Sequence, residues 1–298
     1  MKKILFVLLG LILVGNGCLK AEEYRKPVVL VNYFKRAGNV EKHEVEKLRT
    51  SIIASITNSD RLNVVDIALE SSLSEETKRR MREESIYDEL AASGEMLQLG
   101  ANFILECSAT DVVVSRKERK YKDKTETYYE AVLNYTVNII STEDGTTIYS
   151  QNYESKETAD TNSEARSETF ERGISCGALI EMAPLVGDVV DTDYTLNKKG
   201  KKMETCYIKL GKIHGVKNGS YFNIDKVKYV AGEATYERVG KLKVISVHNK
   251  ISQCEVFSNK EEVLVAMKEY LKMKTTNPDV AMPLRVRSRC DSGRLVTF

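Results

Sequence analysis

Apolar positions in the first hundred residues follow two alternating patterns. A continuous apolar run at 28–34, led by Pro27, is typical of a buried strand. Residues 41–58 then carry apolar side chains at helical spacing with charged residues between them, which predicts a helix packed by one face on a sheet. A second strand is predicted at 62–67. This alternation is typical of an α/β fold.

Helical patterns continue to residue 99. Ser74 is a suitable N-cap for a charged helix that runs to about Leu90. A further helix is predicted up to Leu99, where Gly100 stops it. These helices are expected to flank the sheet.

From residue 103 the pattern becomes that of β-strands. Apolar runs and alternation predict three of them, at 103–114, 128–140 and 146–153. Asp144 and Gly145 favour a hairpin turn between the last two strands. A helix is predicted at 163–182, and Pro184 and Gly187 are expected to end the domain.

The last third has short strands separated by glycines, at 210–224 and 239–244, a pattern that suggests a small barrel. A short helix is predicted at 261–272, and the segment from Thr275 is expected to be poorly ordered. The predicted fold class is therefore α/β. A mixed sheet with flanking helices covers 27–186, a small β-barrel-like domain covers 187–270, and a tail covers 271–298.

The first residues have the pattern of an export signal. Lys2 and Lys3 precede an apolar run at 4–14, and small residues then lead to Cys18. The run is too short to span the roughly 30 Å of a bilayer core as a helix. We interpret 1–17 as a signal peptide and Cys18 as a lipid-acceptor cysteine. The alternative is ordinary signal cleavage before an incidental Cys18.

The net charge of the chain bears on whether it binds nucleic acid. The 298-residue chain has 45 basic and 43 acidic residues, a net charge of +2. Removal of Lys2 and Lys3 with the signal makes the mature chain neutral, which gives no electrostatic basis for binding nucleic acid. We therefore expect no nucleic-acid partner.

Cysteine and histidine positions indicate neither a disulfide scaffold nor a metal site. Besides Cys18 there are five cysteines, an odd number with no CxxC pair. Cys107 and Cys176 lie in apolar or small-residue surroundings and are interpreted as buried free thiols. The three histidines lack metal-ligand spacing, and no cofactor is expected.

One hydrolase motif occurs, the GxSxG sequence at 173–177 with Ser175 at its centre. Asp188, Asp191 or Asp193 followed by His214 or His248 would complete a triad in chain order. The residues before the motif are polar and helical in pattern, whereas the hydrolase motif needs an apolar strand there. The favoured interpretation is a helix whose two glycines allow a close approach to the sheet.

A charged run at 116–126 contains six basic and three acidic residues. Two interpretations are open, a solvated hairpin tip and a surface that binds anionic headgroups or a partner. Asp191 and Asp193 have metal-ligand spacing, but a solvated turn explains them more simply. Four aromatic residues are candidates either for base stacking or for core and surface packing: Tyr221, Phe222, Tyr229 and Tyr236.

Three segments carry a resemblance to a known family: VVLVNYF at 28–34, LNVVD at 62–66 and LGANFIL at 99–105. They resemble the curli-assembly CsgG family and its relatives, the TolB amino-terminal domain and the lipoprotein LpoB. Asn102 stands where the family has aspartate, and Cys107 where it has glycine. The segments GVKNGSYF and VGKLKV in the last third resemble the carboxy-terminal β domain of FlgT.

The resemblance implies an exported, non-enzymatic envelope lipoprotein in the periplasm or outer membrane. Its expected work is to bind and position envelope-assembly, secretion or cell-wall machinery, through a protein partner and a lipid anchor, with oligomer formation open. A CsgG-type secretion pore subunit is the alternative, and a serine hydrolase a weaker one. The pore is not favoured because 116–126 and 154–166 lack the alternating apolar set that lipid-facing strands need.

Overall fold

The computed structural model describes residues 25–69, 100–121 and 124–290. It contains two β-sheets with helices packed against them, which confirms the α/β class. The helices predicted between Ser74 and Leu99 lie outside the described residues, as does Cys18. Among the residues that the structure describes, no helix has the length and apolar character needed to cross a membrane.

The first sheet has the order β3-β1-β4-β5-β6, and a short β2 pairs with β4. Pairing is parallel among β1, β2, β3 and β4 where they meet, and antiparallel from β4 to β6, so the sheet is mixed as predicted. Its strands are β1 (Val28–Val31), β2 (Lys35–Arg36), β3 (Asn63–Asp66), β4 (Phe103–Tyr121), β5 (Lys124–Ser141) and β6 (Thr147–Ala159).

Helix α1 (Lys42–Ser59) matches the helix predicted at 41–58. Its buried residues Val45, Leu48, Ile52 and Ile56 recur at helical spacing and pack on one face of the first sheet. A capping box between Glu41 and Glu44 starts the helix, and left-handed Asp60 ends it. The sequence pattern therefore predicted both this helix and the face that it buries.

The single helix predicted at 163–182 is wrong. Two short helices replace it, α2 (Asn162–Glu168) and α3 (Cys176–Met182). Between them Phe170 and Ile174 are fully buried, and the Ile174 N–H donates to Ser55 Oγ of α1. The chain leaves the helical path because these side chains enter the core below α1.

The second sheet has seven strands in the order β7-β13-β10-β11-β12-β9-β8. Helix α4 (Lys260–Thr276) packs Val263, Leu264, Met267 and Tyr270 into its core. The strands are β7 (Val186–Asp188), β8 (Thr195–Leu196), β9 (Met203–Ile208), β10 (Tyr221–Val230), β11 (Glu233–Val247), β12 (Ser252–Ser258) and β13 (Leu284–Arg289).

Within the described residues, continuous strand pairing does not close this sheet into a barrel, and the barrel-like domain stays a prediction. Val189 and Ile208 form an isolated bridge across the sheet, flanked by backbone hydrogen bonds from Lys209 to Asp188 and from Val190 to Tyr207.

The prediction of a poorly ordered tail is corrected as far as Cys290, because β13 pairs with β10 along six residues and buries Leu284 and Val286. The alternation of arginine with smaller residues in β13 is a strand pattern that the prediction missed.

The parts of the chain that carry the two sheets meet at the end of α1. Lys217 donates to the carbonyl of Asn58 at the end of α1. Gly215 has a φ of +76°, and a Cβ there would lie 2.5 Å from the carbonyl oxygen of Asp60, so this close approach requires glycine.

Candidate partner-binding site

The β4–β5 hairpin extends past the rest of the first sheet. Strand β6 ends at Ala159, opposite Tyr129 of β5, whereas β4 and β5 stay paired as far as Tyr121 and Lys124. We call the two-stranded part beyond Tyr129, residues 116–121 and 124–128, the charged arm. The structure thus places the charged run at a hairpin tip, as predicted, on strands longer than predicted.

The sheet below the charged arm is firmly packed. On β5, Ala131, Leu133, Val137 and Ile139 are buried in the core below α1, and Asn39 closes the free edge of β4. Its side chain donates to Val112 O at 2.7 Å and accepts from Val112 N at 3.0 Å, as a neighbouring strand would. The arm therefore projects from a rigid base.

Cations lie on both faces of the charged arm. Side chains alternate along a strand, so Arg116 and Lys120 share one face, and Lys117 and Arg119 share the other. All four are exposed.

Arg119 lies opposite Glu126 and over the ring of Tyr128, 5.4 Å from its centroid. Among the arm residues whose side chains the structure describes, there are thus four exposed cations and two carboxylates, those of Glu118 and Glu126.

An ion cluster marks the root of the arm. Lys156 of β6 contacts Glu130 of β5 at 2.7 Å, and Lys117 approaches the same carboxylate at 3.9 Å. The hydrogen bond from Lys156 lowers the pKa of Glu130 below its usual value. Glu130 is therefore ionised at neutral pH, and its two cations hold β4 and β6 against β5.

A cleft of about 530 Å³ lies in the notch where β6 ends. It is lined by Arg119, Glu126, Thr127 and Tyr128 of the arm and by residues 158–160. Backbone groups of β5 border this cleft, because β6 no longer covers that edge beyond Tyr129. The notch thus combines an open strand edge with charged side chains.

Ser175 of the GxSxG motif lies at the start of α3, as its N-cap. Its Oγ accepts a hydrogen bond from Ala178 N at 3.1 Å and contacts the hydroxyls of Tyr149 and Tyr153 at 3.0 and 2.6 Å. Burial raises the pKa of Tyr153, so that hydroxyl stays protonated. No histidine is among these contacts in the described part of the chain.

The residues considered for a triad lie in the part of the chain that forms the second sheet, mostly in its connecting segments, and they contact other groups. His214 Nδ1 accepts from Gly211 N at 2.9 Å, and the ring of His248 lies 6.5 Å from that of Tyr207. Gly177 does lie beside β6, where an added Cβ would be 3.5 Å from Tyr149 Oη. The motif therefore caps a helix close to the sheet.

Replacing Ser175 by alanine is expected to lower the free energy of unfolding by about 1 kcal/mol, because α3 loses its N-cap hydrogen bond. This corrects the interpretation of the motif as the middle of a helix, where alanine would be neutral. Chemical denaturation measures the loss, and threonine at the same position is the control that keeps a capping oxygen. Covalent labelling of Ser175 by a fluorophosphonate would contradict its role as a cap.

The other candidate residues have separate structural roles. Asp191 binds Lys274, whose hydrogen bond lowers the pKa of Asp191, and Asp193 accepts from Thr192. Within the described residues, no cluster of three potential metal ligands occurs. Phe222 is fully buried, whereas Tyr229 and Tyr236 are exposed on the β10–β11 hairpin. The aromatic set is thus divided between core and surface.

Cys176 is not a free thiol, which corrects the prediction. It forms a disulfide with Cys290, across a Cα–Cα distance of 5.7 Å. The bond links α3 to the residue after β13. Spacing could not reveal it, because the two cysteines are 114 positions apart.

The other described cysteines are buried and free: Cys107, Cys206 and Cys254. Cys206 and Cys254 are directly opposite each other on β9 and β12. Burial raises the pKa of Cys206 to about 12. These thiols are therefore protonated at neutral pH. The prediction that Cys107 is a buried free thiol is confirmed.

No protein-family model matches the sequence, and no curated protein does. Solved structures with a similar chain path include lipoprotein GNA1162 from Neisseria meningitidis, at 15% identity over 48% of this chain and 91% of that one, with a TM-score of 0.32. The LpoB C-terminal domain from Escherichia coli has 13% identity over 43% and 81% of the chains, with a TM-score of 0.29.

The PelC dodecamer from Paraburkholderia phytofirmans also has a TM-score of 0.29, at 10% identity over 54% of this chain and 90% of that one. All three likenesses are too distant to assign an activity or a partner to this chain. The resemblances to LpoB-like proteins, to CsgG and to FlgT therefore stay predictions.

Proposed function

We propose that this chain is an exported envelope lipoprotein, anchored through Cys18, that works without catalysis by binding and positioning cell-envelope assembly, secretion or cell-wall machinery. The charged arm is the observation that carries the proposal. It adds no residue to either hydrophobic core, yet an 18-residue and a 19-residue strand hold it out from a packed base. An element of this kind is suited to contact another molecule.

The disulfide between Cys176 and Cys290 supports export. Structural disulfides form and persist in oxidising compartments such as the periplasm and are rare in the cytosol. The bond also joins the two sheets, whose parts of the chain already meet where Lys217 donates to the carbonyl of Asn58. A scaffold tied in this way keeps its arm in a fixed direction.

The strand arrangement separates the proposed anchor from the arm. Val28 N donates to Asn102 Oδ1 and Val29 pairs with Phe103, so the chain enters the sheet at the start of β4. The tip of the arm lies 18 residues further along β4, about 60 Å away for an extended strand. The nine residues from Cys18 to Pro27 reach at most about 30 Å. A tether of this length would not reach the arm, so an anchor at Cys18 would hold the opposite end of the first sheet toward the membrane.

The anchor is tested by metabolic labelling of cells with an alkyne fatty acid, followed by membrane fractionation. The wild-type chain is expected to take up the label and to fractionate with membranes. Cys18→Ser is expected to take up none, and to be released or left as a precursor, because several acyl chains are needed for stable anchoring. A wild-type chain that is unlabelled, soluble and begins at Cys18 would show simple secretion.

The binding role is tested with a photo-crosslinking amino acid placed at Lys120 of the arm in growing cells. The matched control places it at Lys198, an exposed residue of the loop before β9. Discrete protein adducts are expected from position 120 and not from 198. Equal adduct patterns at the two positions would contradict a binding role for the arm.

A further inference from the structure

The outer edge of β5 is open along the charged arm. The last pair between β5 and β6 is Tyr129 with Ala159, and beyond it residues 125–128 pair only with β4. Among the described residues, no backbone hydrogen bond reaches this edge from another element. Every second residue of such an edge directs its N–H and C=O outward, so the edge can accept another strand.

The notch beside this edge has room for that strand. Its cleft of about 530 Å³ lies between Tyr128 of β5 and the end of β6 at 158–160. A strand added there would continue the line of β6 and would lie beside Thr125 and Thr127. Both residues are small and exposed, so they leave the approach clear.

The charges of the arm determine which strand it can accept. Arg116 and Lys120 on one face, and Lys117 and Arg119 on the other, would face the side chains of an added strand from both sides. Two copies of the arm would bring like charges together, which opposes self-pairing. An acidic strand meets cations on both of its faces, whereas a flat lipid surface would contact one face and would leave the strand edge unused.

We propose that an extended acidic segment of a protein partner adds as a β-strand to residues 125–128 of β5, in line with β6. Main-chain hydrogen bonds to the edge provide part of the affinity, and the arm's four cations select acidic side chains. This inference rests on the proposed function, because it names the surface and the partner chemistry that a binding role requires.

The test uses the purified mature chain and a fluorescein-labelled peptide of four Thr-Glu repeats, with binding measured by fluorescence anisotropy at low salt. A peptide of four Thr-Lys repeats controls for charge. A Thr-Glu peptide N-methylated at every residue keeps the charge but has no main-chain N–H to donate from either of its edges. Both controls are expected to bind at least about tenfold more weakly. The Thr-Lys peptide brings like charges to the cations of the arm, and the N-methylated peptide loses its main-chain hydrogen bonds to the edge.

Two charge variants locate the site. Arg119→Glu with Lys120→Glu is expected to weaken binding of the Thr-Glu peptide at least about tenfold. Lys198→Glu with Lys199→Glu makes the same charge change in the exposed loop before β9 and is expected to change binding less than about twofold. The thermal unfolding midpoints of both variants are compared with that of the wild type to check that the fold is kept.

Four results would overturn the inference. These are absence of binding by the Thr-Glu peptide, equal binding of the N-methylated peptide, equal effects of the two charge variants, and arm-dependent binding to phosphatidylglycerol vesicles in place of the peptide. A dimer of the mature chain that the arm variant abolishes would assign the edge to a second copy and would also overturn it. The proposed function is judged separately, by fatty-acid labelling and by crosslinking at Lys120.

Discussion

Replacing Asp66 by alanine is expected to lower the free energy of unfolding by about 3 kcal/mol, because it leaves the buried guanidinium of Arg49 without its carboxylate. Arg49 is only 4% exposed and donates to both carboxylate oxygens of Asp66, at 2.5 and 3.3 Å. It also donates to the carbonyls of Val31 and Asn32, at 3.1 and 2.9 Å. This arginine therefore joins α1 to the ends of β1 and β3.

Urea denaturation of the mature chain measures this loss. The matched control is Glu237→Ala, which removes an exposed ion pair with Lys228 and is expected to leave the free energy of unfolding nearly unchanged. The double variant Arg49→Met with Asp66→Leu is expected to be more stable than Asp66→Ala alone, because apolar side chains can replace a buried pair without leaving a charge. Equal losses in Asp66→Ala and Glu237→Ala would contradict the structural role of Arg49.

Local periodicity was sufficient to predict the elements whose neighbours are close in sequence. Helix α1 and strands β1 and β3 were predicted within a few residues. Their apolar residues pack against elements that are neighbours in sequence, so the local pattern contains the information. The Arg49–Asp66 pair was not predicted. Arg49 lies among charged residues in a helix, where exposure is the usual outcome, and the strand ends that surround it come together only in the fold.

Elements that depend on distant partners were predicted less well. The helix at 163–182 has the right spacing, but the core below α1 draws Phe170 and Ile174 out of it. Strand β13 is held by β10, about 60 residues earlier, and the basic residues of the segment suggested a loose tail. Tertiary contacts decided both cases, which local patterns do not contain.

The candidate site was predicted in part. The charge run indicated an exposed hairpin tip, and the structure places it there on strands that extend through Arg116 and Lys120. The predicted strands stopped earlier because charged residues interrupt the apolar alternation, although backbone pairing continues without it. The edge of β5 at 125–128 is open because β6 ends at Ala159. The sequence of the arm does not indicate where β6 ends, so the open edge was not predicted.

Removing the disulfide is expected to have the largest effect. Cys290→Ser should lower the free energy of unfolding by about 4 kcal/mol, because the unfolded chain regains the freedom of a loop that spans 114 positions. Cys176→Ser should cost about the same. Since both changes break one bond, the double variant should cost no more than either single variant.

Urea denaturation of the wild type and the three variants, with and without dithiothreitol, measures these losses. The reductant should destabilise the wild type to the level of the variants and leave Cys290→Ser unchanged. In the folded chain, burial raises the pKa values of the Cys206 and Cys254 thiols and keeps them protonated. Because urea exposes these thiols, the samples without reductant are unfolded at mildly acidic pH, where little thiolate forms and disulfide exchange is slow. A wild type that reductant leaves unchanged, or additive losses in the double variant, would mean that Cys176 and Cys290 act as separate thiols. The argument for export would then rest on the first 18 residues alone.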